Sequence, residues 1–274
     1  MRIGYCCSFN PEDATWAKKS GFTTLEIGYM PGGKDEWKKA KEWFDANSFH
    51  PMSVFHYNDY GAPNKQDAEA AIAECYKAME MCVALEVPVL ALNGWAGHDG
   101  EPKDKIARFK KIFTPLVKKA ADMGLKIAVE NCPHDLHNVM WSPVMWEACF
   151  NEVPDEALGL EFDPSHLYWM GVDYVVALKK FVSRTYAFHA KDTELIRDVI
   201  AWEGNVCGRW WRYRIPGWGE IDWRKLFTIL MENNYQGDIT IEHEDPVFRG
   251  ARYKEGLIKG LCFLRDLTGD NIVK

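Results

Sequence analysis

Eight short apolar segments recur along the chain, and a longer amphipathic segment follows each of them. The apolar segments are rich in Val, Ile, Leu and aromatic residues, which favour buried strands. Strands that alternate with helices in this way are typical of βα units and a parallel sheet, because parallel strands need a long crossover connection. The eight predicted strands are residues 2–8, 23–29, 52–57, 87–93, 126–132, 157–163, 185–192 and 238–244.

The segments between these strands carry apolar residues three and four positions apart, a spacing that predicts helices. Eight βα units in 274 residues predict one TIM barrel domain over residues 1–274, since that α/β fold needs about 250 residues. An open doubly wound sheet is the alternative, but no glycine-rich phosphate-binding turn follows the first strand. The predicted helices are residues 11–20, 34–46, 65–85, 104–123, 142–151, 174–183, 222–234 and 251–267.

Charge and composition narrow the class of protein. The net charge of −7 argues against nucleic acid as a partner, because phosphate binding needs a basic face. The sequence has no apolar run of about 18 residues, so we expect no membrane span. The first residues lack the apolar segment of a signal peptide, and the eight cysteines form no CxxC pattern. We therefore expect a cytoplasmic protein with reduced thiols.

Four of the predicted strands end in ionisable residues, namely Glu130, Asp163, His189 and Glu242. Each of them alone is usually a surface or capping group. In a closed barrel, however, the carboxyl ends of the strands surround one bowl, so the four side chains can converge on one cation. Three clustered carboxylates without a cation would repel one another. Three carboxylates and one imidazole suit Mn²⁺, Mg²⁺ or Co²⁺ better than a thiolate-preferring metal.

Motifs around these residues carry a resemblance to a known family. They are the segments 129–131 (VEN), 163–166 (DPSH), 189–192 (HAKD), 216–223 (PGWGEIDW) and 241–244 (IEHE). Together they resemble the xylose-isomerase-like superfamily of sugar isomerases and epimerases, over nearly the whole chain. The resemblance implies a TIM barrel, a Mn²⁺-type ion and the four strand-end residues as its ligands. It leaves the reaction open, because the superfamily includes epimerases, C-glycoside-cleaving enzymes and an endonuclease branch.

The resemblance also implies roles for individual residues. In the epimerases that the chain resembles, two glutamates work from opposite faces of the sugar, and they match Glu130 and Glu242. One would remove a proton and the other return one; the alternative is that both are only ligands. His166 resembles a histidine that contacts substrate oxygens, with a structural histidine as the alternative. We also expect His134 and Lys191 to contact substrate, and Lys191 to stabilise an oxyanion.

The connection after the seventh strand, residues 193–219, is unusually long. Connections of this length are often functional. It contains the segment 209–214 (RWWRYR), in which we expect Trp211 and Arg212 to stack on a sugar ring and bind its hydroxyls. A similar segment occurs in superfamily members that handle 3-keto-glycosides. The same residue types are also enriched at subunit interfaces. We therefore expect a homo-oligomer, with a smaller partner subunit if the chain is a deglycosidase.

The sequence thus predicts a divalent-metal-dependent isomerase or epimerase of a keto sugar or 3-keto-glycoside, acting through a metal-stabilised enediolate. The main alternative is a metal-dependent lyase that cleaves a 3-keto-glycoside by β-elimination, as a C-glycoside deglycosidase does. An endonuclease is disfavoured by the acidic charge and by the lack of a second histidine cluster. The intact four-ligand set argues against a non-catalytic binding protein.

Overall fold

Eight parallel strands close a barrel, which confirms the predicted fold. The computed structural model describes residues 1–97, 99–133 and 137–269. The last barrel strand pairs with the first through Ile3 and Ile239, so the sheet has no open edge. The barrel strands are β1 (Ile3–Cys7), β2 (Glu26–Gly28), β3 (Ser53–His56), β4 (Val89–Asn93), β5 (Lys126–Glu130), β6 (Leu158–Phe162), β7 (Thr185–Ala190) and β10 (Ile239–Ile241).

The predicted helices are all present, and their bounds differ from the prediction by one or two residues at most, as fraying helix ends commonly do. None of the helices in the described part of the chain combines the length and hydropathy that crossing a bilayer requires. The predicted helices are α1 (Pro11–Ser20), α2 (Lys34–Asn47), α3 (Lys65–Ala84), α4 (Pro102–Asp122), α5 (Pro143–Glu152), α7 (Tyr174–Phe181), α9 (Trp223–Glu232) and α10 (Tyr253–Thr268).

The apolar core lies between the strands and the surrounding helices. Phe44 of α2, Phe109 and Phe113 of α4 and Trp146 of α5 are fully buried there. Burying a side chain of this size contributes about 1.5–3 kcal/mol. The inside of the barrel differs, because several side chains that point into it are ionisable.

A short helix that the sequence analysis missed, α6 (Pro164–Trp169), begins directly after β6. Asp163 caps it, and the Asp163 Oδ1 accepts a hydrogen bond of 2.7 Å from the Ser165 backbone N–H. Proline at the first helical position suits such a start, because its missing N–H would have no partner there. The cap fixes the orientation of the Asp163 carboxylate at the mouth of the barrel.

The long connection after β7 contains regular structure of its own. The predicted strand 185–192 ends early, at Ala190, and β8 (Asp192–Leu195) then pairs antiparallel with β9 (Trp211–Arg214). Between them lies the short helix α8 (Arg197–Glu203). The hairpin packs against α6, so the connection lies beside the carboxyl end of β6.

Candidate metal centre

Three carboxylates converge at the carboxyl-terminal mouth of the barrel. Glu130 is the last residue of β5, Asp163 caps α6, and Glu242 directly follows β10. We call these three residues the carboxylate cluster. One oxygen of each, together with Nε2 of His166, lies within 4.8 Å of the others. Glu130, Asp163 and His166 are buried, whereas 22% of the Glu242 side chain is exposed. The cluster is therefore open to solvent on the side of Glu242.

The fourth predicted ligand, His189, lies in β7 between the carboxylate cluster and two deeper glutamates. Its Nδ1 is 3.1 Å from Glu242 Oε2 and 3.5 Å from Glu130 Oε1. Its Nε2 is 3.2 Å from Glu161 Oε1 and 3.4 Å from Glu26 Oε2. One ring nitrogen thus faces the cluster and the other faces the barrel interior. Metal-binding histidines are commonly held in this way, with a carboxylate orienting the nitrogen that does not bind the metal.

Sequence reasoning missed the two inner glutamates. Glu26 in β2 and Glu161 in β6 are fully buried. Burial and the nearby charge of Glu26 raise the pKa of Glu161 well above its ordinary value. The Tyr57 hydroxyl donates a hydrogen bond of 2.6 Å to Glu161. A signal was available, because a glutamate inside an apolar strand of a closed barrel needs a compensating partner: burying one ion costs several kcal/mol.

Two buried atoms at the cluster make no hydrogen bond of regular geometry among the described residues. They are Asp163 Oδ2, which faces the Lys191 ammonium at 3.2 Å, and His189 Nδ1, which faces Glu242 Oε2 at 3.1 Å. Because Asp163 Oδ1 is used by the helix cap, only Oδ2 is available to a ligand. A divalent cation would satisfy both atoms and the three carboxylate charges. The residues present therefore fit a divalent metal ion with oxygen and imidazole ligands.

A buried lysine ammonium also contacts the cluster. Lys191 follows β7, and its Nζ lies 2.5 Å from Glu242 Oε2, 3.0 Å from Glu244 Oε2 and 3.2 Å from Asp163 Oδ2. Burial lowers the pKa of Lys191, but Glu242 and Asp163 outweigh it and hold that pKa well above its ordinary value. For Glu242, burial is outweighed in turn by Lys191, and the pKa is lowered to about 2. The structure thus brings the predicted substrate contact Lys191 to the carboxylates as a cation.

His166 joins the cluster to the hairpin of the long connection. Its Nε2 lies 3.3 Å from Glu130 Oε1 and 3.4 Å from Asp163 Oδ2. Its Nδ1 lies 2.8 Å from the hydroxyl of Tyr213 in β9. Sequence reasoning did not single out Tyr213, because the register of β9 cannot be read from an unpaired strand. The phenol holds one imidazole nitrogen, so the other is oriented towards the carboxylates.

The two other residues predicted in the connection lie on opposite faces of the hairpin, since side chains alternate along a strand. Trp211 shares the face of Tyr213, with ring centroids 4.6 Å apart, and stacks on Trp169 of α6 at 4.6 Å and 2°. Arg212 instead donates two hydrogen bonds, of 2.9 and 3.0 Å, to its cross-strand neighbour Glu194. The structure therefore engages Arg212 in the hairpin itself and does not bring it to the cluster.

His134 lies outside the residues that the structure describes. His56, at the end of β3, lies 3.0 Å from the hydroxyl of Tyr60 through Nδ1 and 3.6 Å from Glu74 through Nε2. It belongs to a separate group at the mouth, which does not include the carboxylate cluster.

A sequence profile of the xylose isomerase-like TIM barrel family matches residues 14–267. The chain belongs to this family. One relative of this xylose isomerase-like barrel is the inosose isomerase of Halalkalibacterium halodurans, which is 23% identical over 96% of this chain and 91% of that protein.

Two further relatives match in part. The inosose dehydratase of Clostridium perfringens is 29% identical over 54% of this chain and 50% of that protein. The uncharacterized protein YfiH of Bacillus subtilis is 33% identical over 47% of this chain and 44% of that protein. These two matches span about half of the relatives' own length or less.

Solved structures share the barrel at low sequence identity. The IOLI protein, in a crystal structure with a bound zinc atom, has a TM-score of 0.79 at 18% identity, with all of both chains covered. The 3-keto-D-glucoside 4-epimerase YcjR of E. coli has a TM-score of 0.76 at 15% identity, covering 97% of this chain and 99% of that one. At these identities the likeness establishes the fold alone.

Proposed function

We propose that this xylose isomerase-like barrel is a divalent-metal-dependent isomerase or epimerase of a keto sugar or 3-keto-glycoside. The observation that carries the proposal is the convergence of Glu130, Asp163 and Glu242 on one site beside His189 Nδ1. The relative named inosose isomerase, which aligns over 96% of this chain, supports the reaction class. The relative structure named as a 3-keto-D-glucoside 4-epimerase supports the substrate class.

The four proposed ligands are the carboxylate cluster and His189. A divalent ion there, for which we propose Mn²⁺ with Mg²⁺ or Co²⁺ as alternatives, would polarise the substrate carbonyl and stabilise the charge of an enediolate. His189 can offer Nδ1 because Glu161 and Glu26 lie on the side of Nε2. The helix cap likewise orients Asp163: Oδ1 accepts the capping hydrogen bond, so Oδ2 is left to face the site.

Glu242 and Glu130 are the proposed proton carriers. They come from β10 and β5, which lie on either side of β6 and β7 in the barrel, so they approach a bound sugar from different directions. Burial raises the pKa of Glu242, but Lys191 outweighs it and lowers that pKa to about 2, so Glu242 is ionised in the resting site. It is the proposed acceptor of the proton from the carbon beside the carbonyl. Glu130 Oε1 lies 3.3 Å from His166 Nε2, so Glu130 would take a proton from the His166 imidazole and return it to that carbon or its neighbour.

A lyase is the second candidate, and the relatives named inosose dehydratase favour it. Elimination β to a carbonyl begins with the same removal of a proton beside the carbonyl. It then needs an acid that protonates the leaving group. Lys191, whose buried Nζ also contacts Glu244 at 3.0 Å, and His166 are the described residues placed to supply it.

Proton exchange with solvent tests the proposal. The Mn²⁺-loaded protein is incubated in ²H₂O with D-fructose and, separately, with a 3-keto-glucoside, and both sugars are followed by NMR. We expect deuterium at a carbon beside the carbonyl, loss of exchange after chelation, and its return with Mn²⁺. Aglycone release that outpaces deuterium in the recovered sugar would establish the lyase instead. Absence of both exchange and release with every sugar and metal would refute both reactions.

A pair of variants assigns the proton carrier. Glu242→Gln should abolish exchange, because the amide cannot accept the proton. The matched control is Glu244→Gln, the same substitution two residues along, outside the carboxylate cluster and 48% exposed. It should keep most of the exchange. Equal exchange in the two variants would remove Glu242 from the proton-transfer step.

A further inference from the structure

A second cavity lies beside the long connection and has no role in the metal centre. Its volume is about 430 Å³, within the range of small-molecule pockets. Three indole rings line it: Trp141 before α5, Trp169 at the end of α6, and Trp210 directly before β9. We call it the tryptophan pocket.

The tryptophan pocket lies beside the metal centre, since one of its lining residues, Pro133, follows the proposed ligand Glu130 by three positions. Helix α6 begins next to the proposed ligand Asp163 and ends at Trp169. These two residues are roughly 9 Å apart along the axis, at about 1.5 Å of rise per residue. Trp169 stacks on Trp211, whose ring lies 4.6 Å from that of Tyr213. The Tyr213 hydroxyl is 2.8 Å from His166 Nδ1. A row of contacting rings therefore runs from His166, at the carboxylate cluster, to Trp169 in the wall of the pocket.

The lining indicates the chemistry of an occupant. Apart from Asn205, the described side chains that line the pocket are apolar, and none carries a charge. A second sugar would bring several hydroxyl groups that need partners, which this wall does not provide. A flat aromatic ring would stack on the indoles.

We infer that the tryptophan pocket binds an aromatic aglycone joined to the sugar that reacts at the metal centre. The substrate class would then be an aryl glycoside in its keto form. This inference rests on the proposed function for the identity of the reacting sugar. The pocket itself can be tested apart from the reaction, because ring binding requires no turnover.

Equilibrium binding of phenyl β-D-glucopyranoside to the metal-loaded protein tests the pocket, with methyl β-D-glucopyranoside and cellobiose as comparison ligands. We expect the phenyl glucoside to bind at least about tenfold more tightly than the methyl glucoside, from stacking and burial of the ring. An equal affinity for the two would overturn the inference. Cellobiose binding as tightly as the phenyl glucoside would overturn it in favour of a second sugar.

Two variants place the preference in the pocket. Trp210→Ala removes one wall of the pocket and enlarges it. Asn205→Trp replaces an exposed lining residue with a larger one and fills the pocket. Each should reduce the preference for the phenyl glucoside about tenfold. The matched control is Trp202→Ala in α8, which is 90% exposed and does not line the pocket. It should keep the preference; loss of the preference in this control, or its retention in both pocket variants, would overturn the inference.

Failure of the proposed function can be distinguished from failure of the pocket inference. It would show as absent metal binding or absent solvent exchange in the unaltered protein, with the ring preference intact. Failure of the pocket alone would leave exchange with a free ketose unchanged while the phenyl preference is missing.

Discussion

The most informative perturbation of the metal centre is Glu161→Gln, together with Glu26→Gln, because neither residue is a proposed ligand. The two carboxylates lie 3.2 and 3.4 Å from Nε2 of His189. They orient the ring so that Nδ1 faces the cluster. Replacing a carboxylate that holds a metal-binding histidine typically lowers metal affinity by about 10–100-fold, which corresponds to roughly 1.4–2.7 kcal/mol. We expect a loss in this range for each variant.

We expect the free energy of unfolding of the metal-free protein to remain the same or to rise in these variants, whereas the metal affinity falls. Glu26 and Glu161 are fully buried neighbours, and Glu26 contributes to the raised pKa of Glu161. Each substitution relieves the repulsion between the two buried acids but also weakens a contact with His189 Nε2, and these two effects oppose each other. A residue with a purely structural role would lower both stability and metal affinity, so the two readouts separate the explanations.

The assay is competition for Mn²⁺ against a chelating dye, with thermal unfolding of the metal-free protein measured in parallel. The matched control is Glu74→Gln, which alters a glutamate facing another histidine at the mouth, His56, at 3.6 Å. Its metal affinity should be unchanged. Unaltered affinity in both inner variants, or an equal loss in Glu74→Gln, would refute the proposed orientation of His189.

Three further predictions concern the metal, the connection and the surface. Burial lowers the pKa of His189, but Glu161 and other neighbours hold that pKa well above its ordinary value in the metal-free protein. Because the metal must displace the proton, metal affinity should rise about tenfold per pH unit below that pKa. Equal affinities in metal titrations at acidic and alkaline pH would contradict this. Gly219→Ala should destabilise the protein by about 1–3 kcal/mol in thermal unfolding, because a Cβ there would lie 2.5 Å from the Thr193 carbonyl oxygen. An unchanged melting temperature would disprove the close approach of residue 219 to this carbonyl. Val206, which follows α8 and is 92% exposed, should contribute to the interface of the expected homo-oligomer. In sedimentation, Val206→Asp should therefore shift the protein to lighter species, and an unchanged oligomer would exclude this surface as the interface.

The barrel and the positions of the carboxylates at its strand ends could be predicted from the sequence because both follow from periodicity. Each strand is a short apolar run, and closure places every strand end on one rim. For that reason Glu130, Asp163 and Glu242 could be expected at one site before any coordinates were known. The predicted helices follow the three- and four-residue spacing of their apolar faces in the same way.

The remaining features depend on tertiary pairing, which a single sequence does not reveal. The sequence analysis treated residues 185–192 as one strand, whereas the chain leaves the barrel after Ala190 and begins a hairpin at Asp192. Only the register of that hairpin shows that Tyr213 faces His166 while Arg212 pairs with Glu194. The tryptophan pocket likewise joins residues from three separate segments of the chain.

The central claim is that one divalent ion is held by the carboxylate cluster and His189. The most direct test is anomalous diffraction from crystals of the full chain grown with Mn²⁺. We predict one strong peak at about 2 Å from single oxygens of Glu130, Asp163 and Glu242 and from Nδ1 of His189. Absence of a peak there, or a peak bound instead by Cys6 and Glu26 on the Nε2 side of the same histidine, would contradict the account.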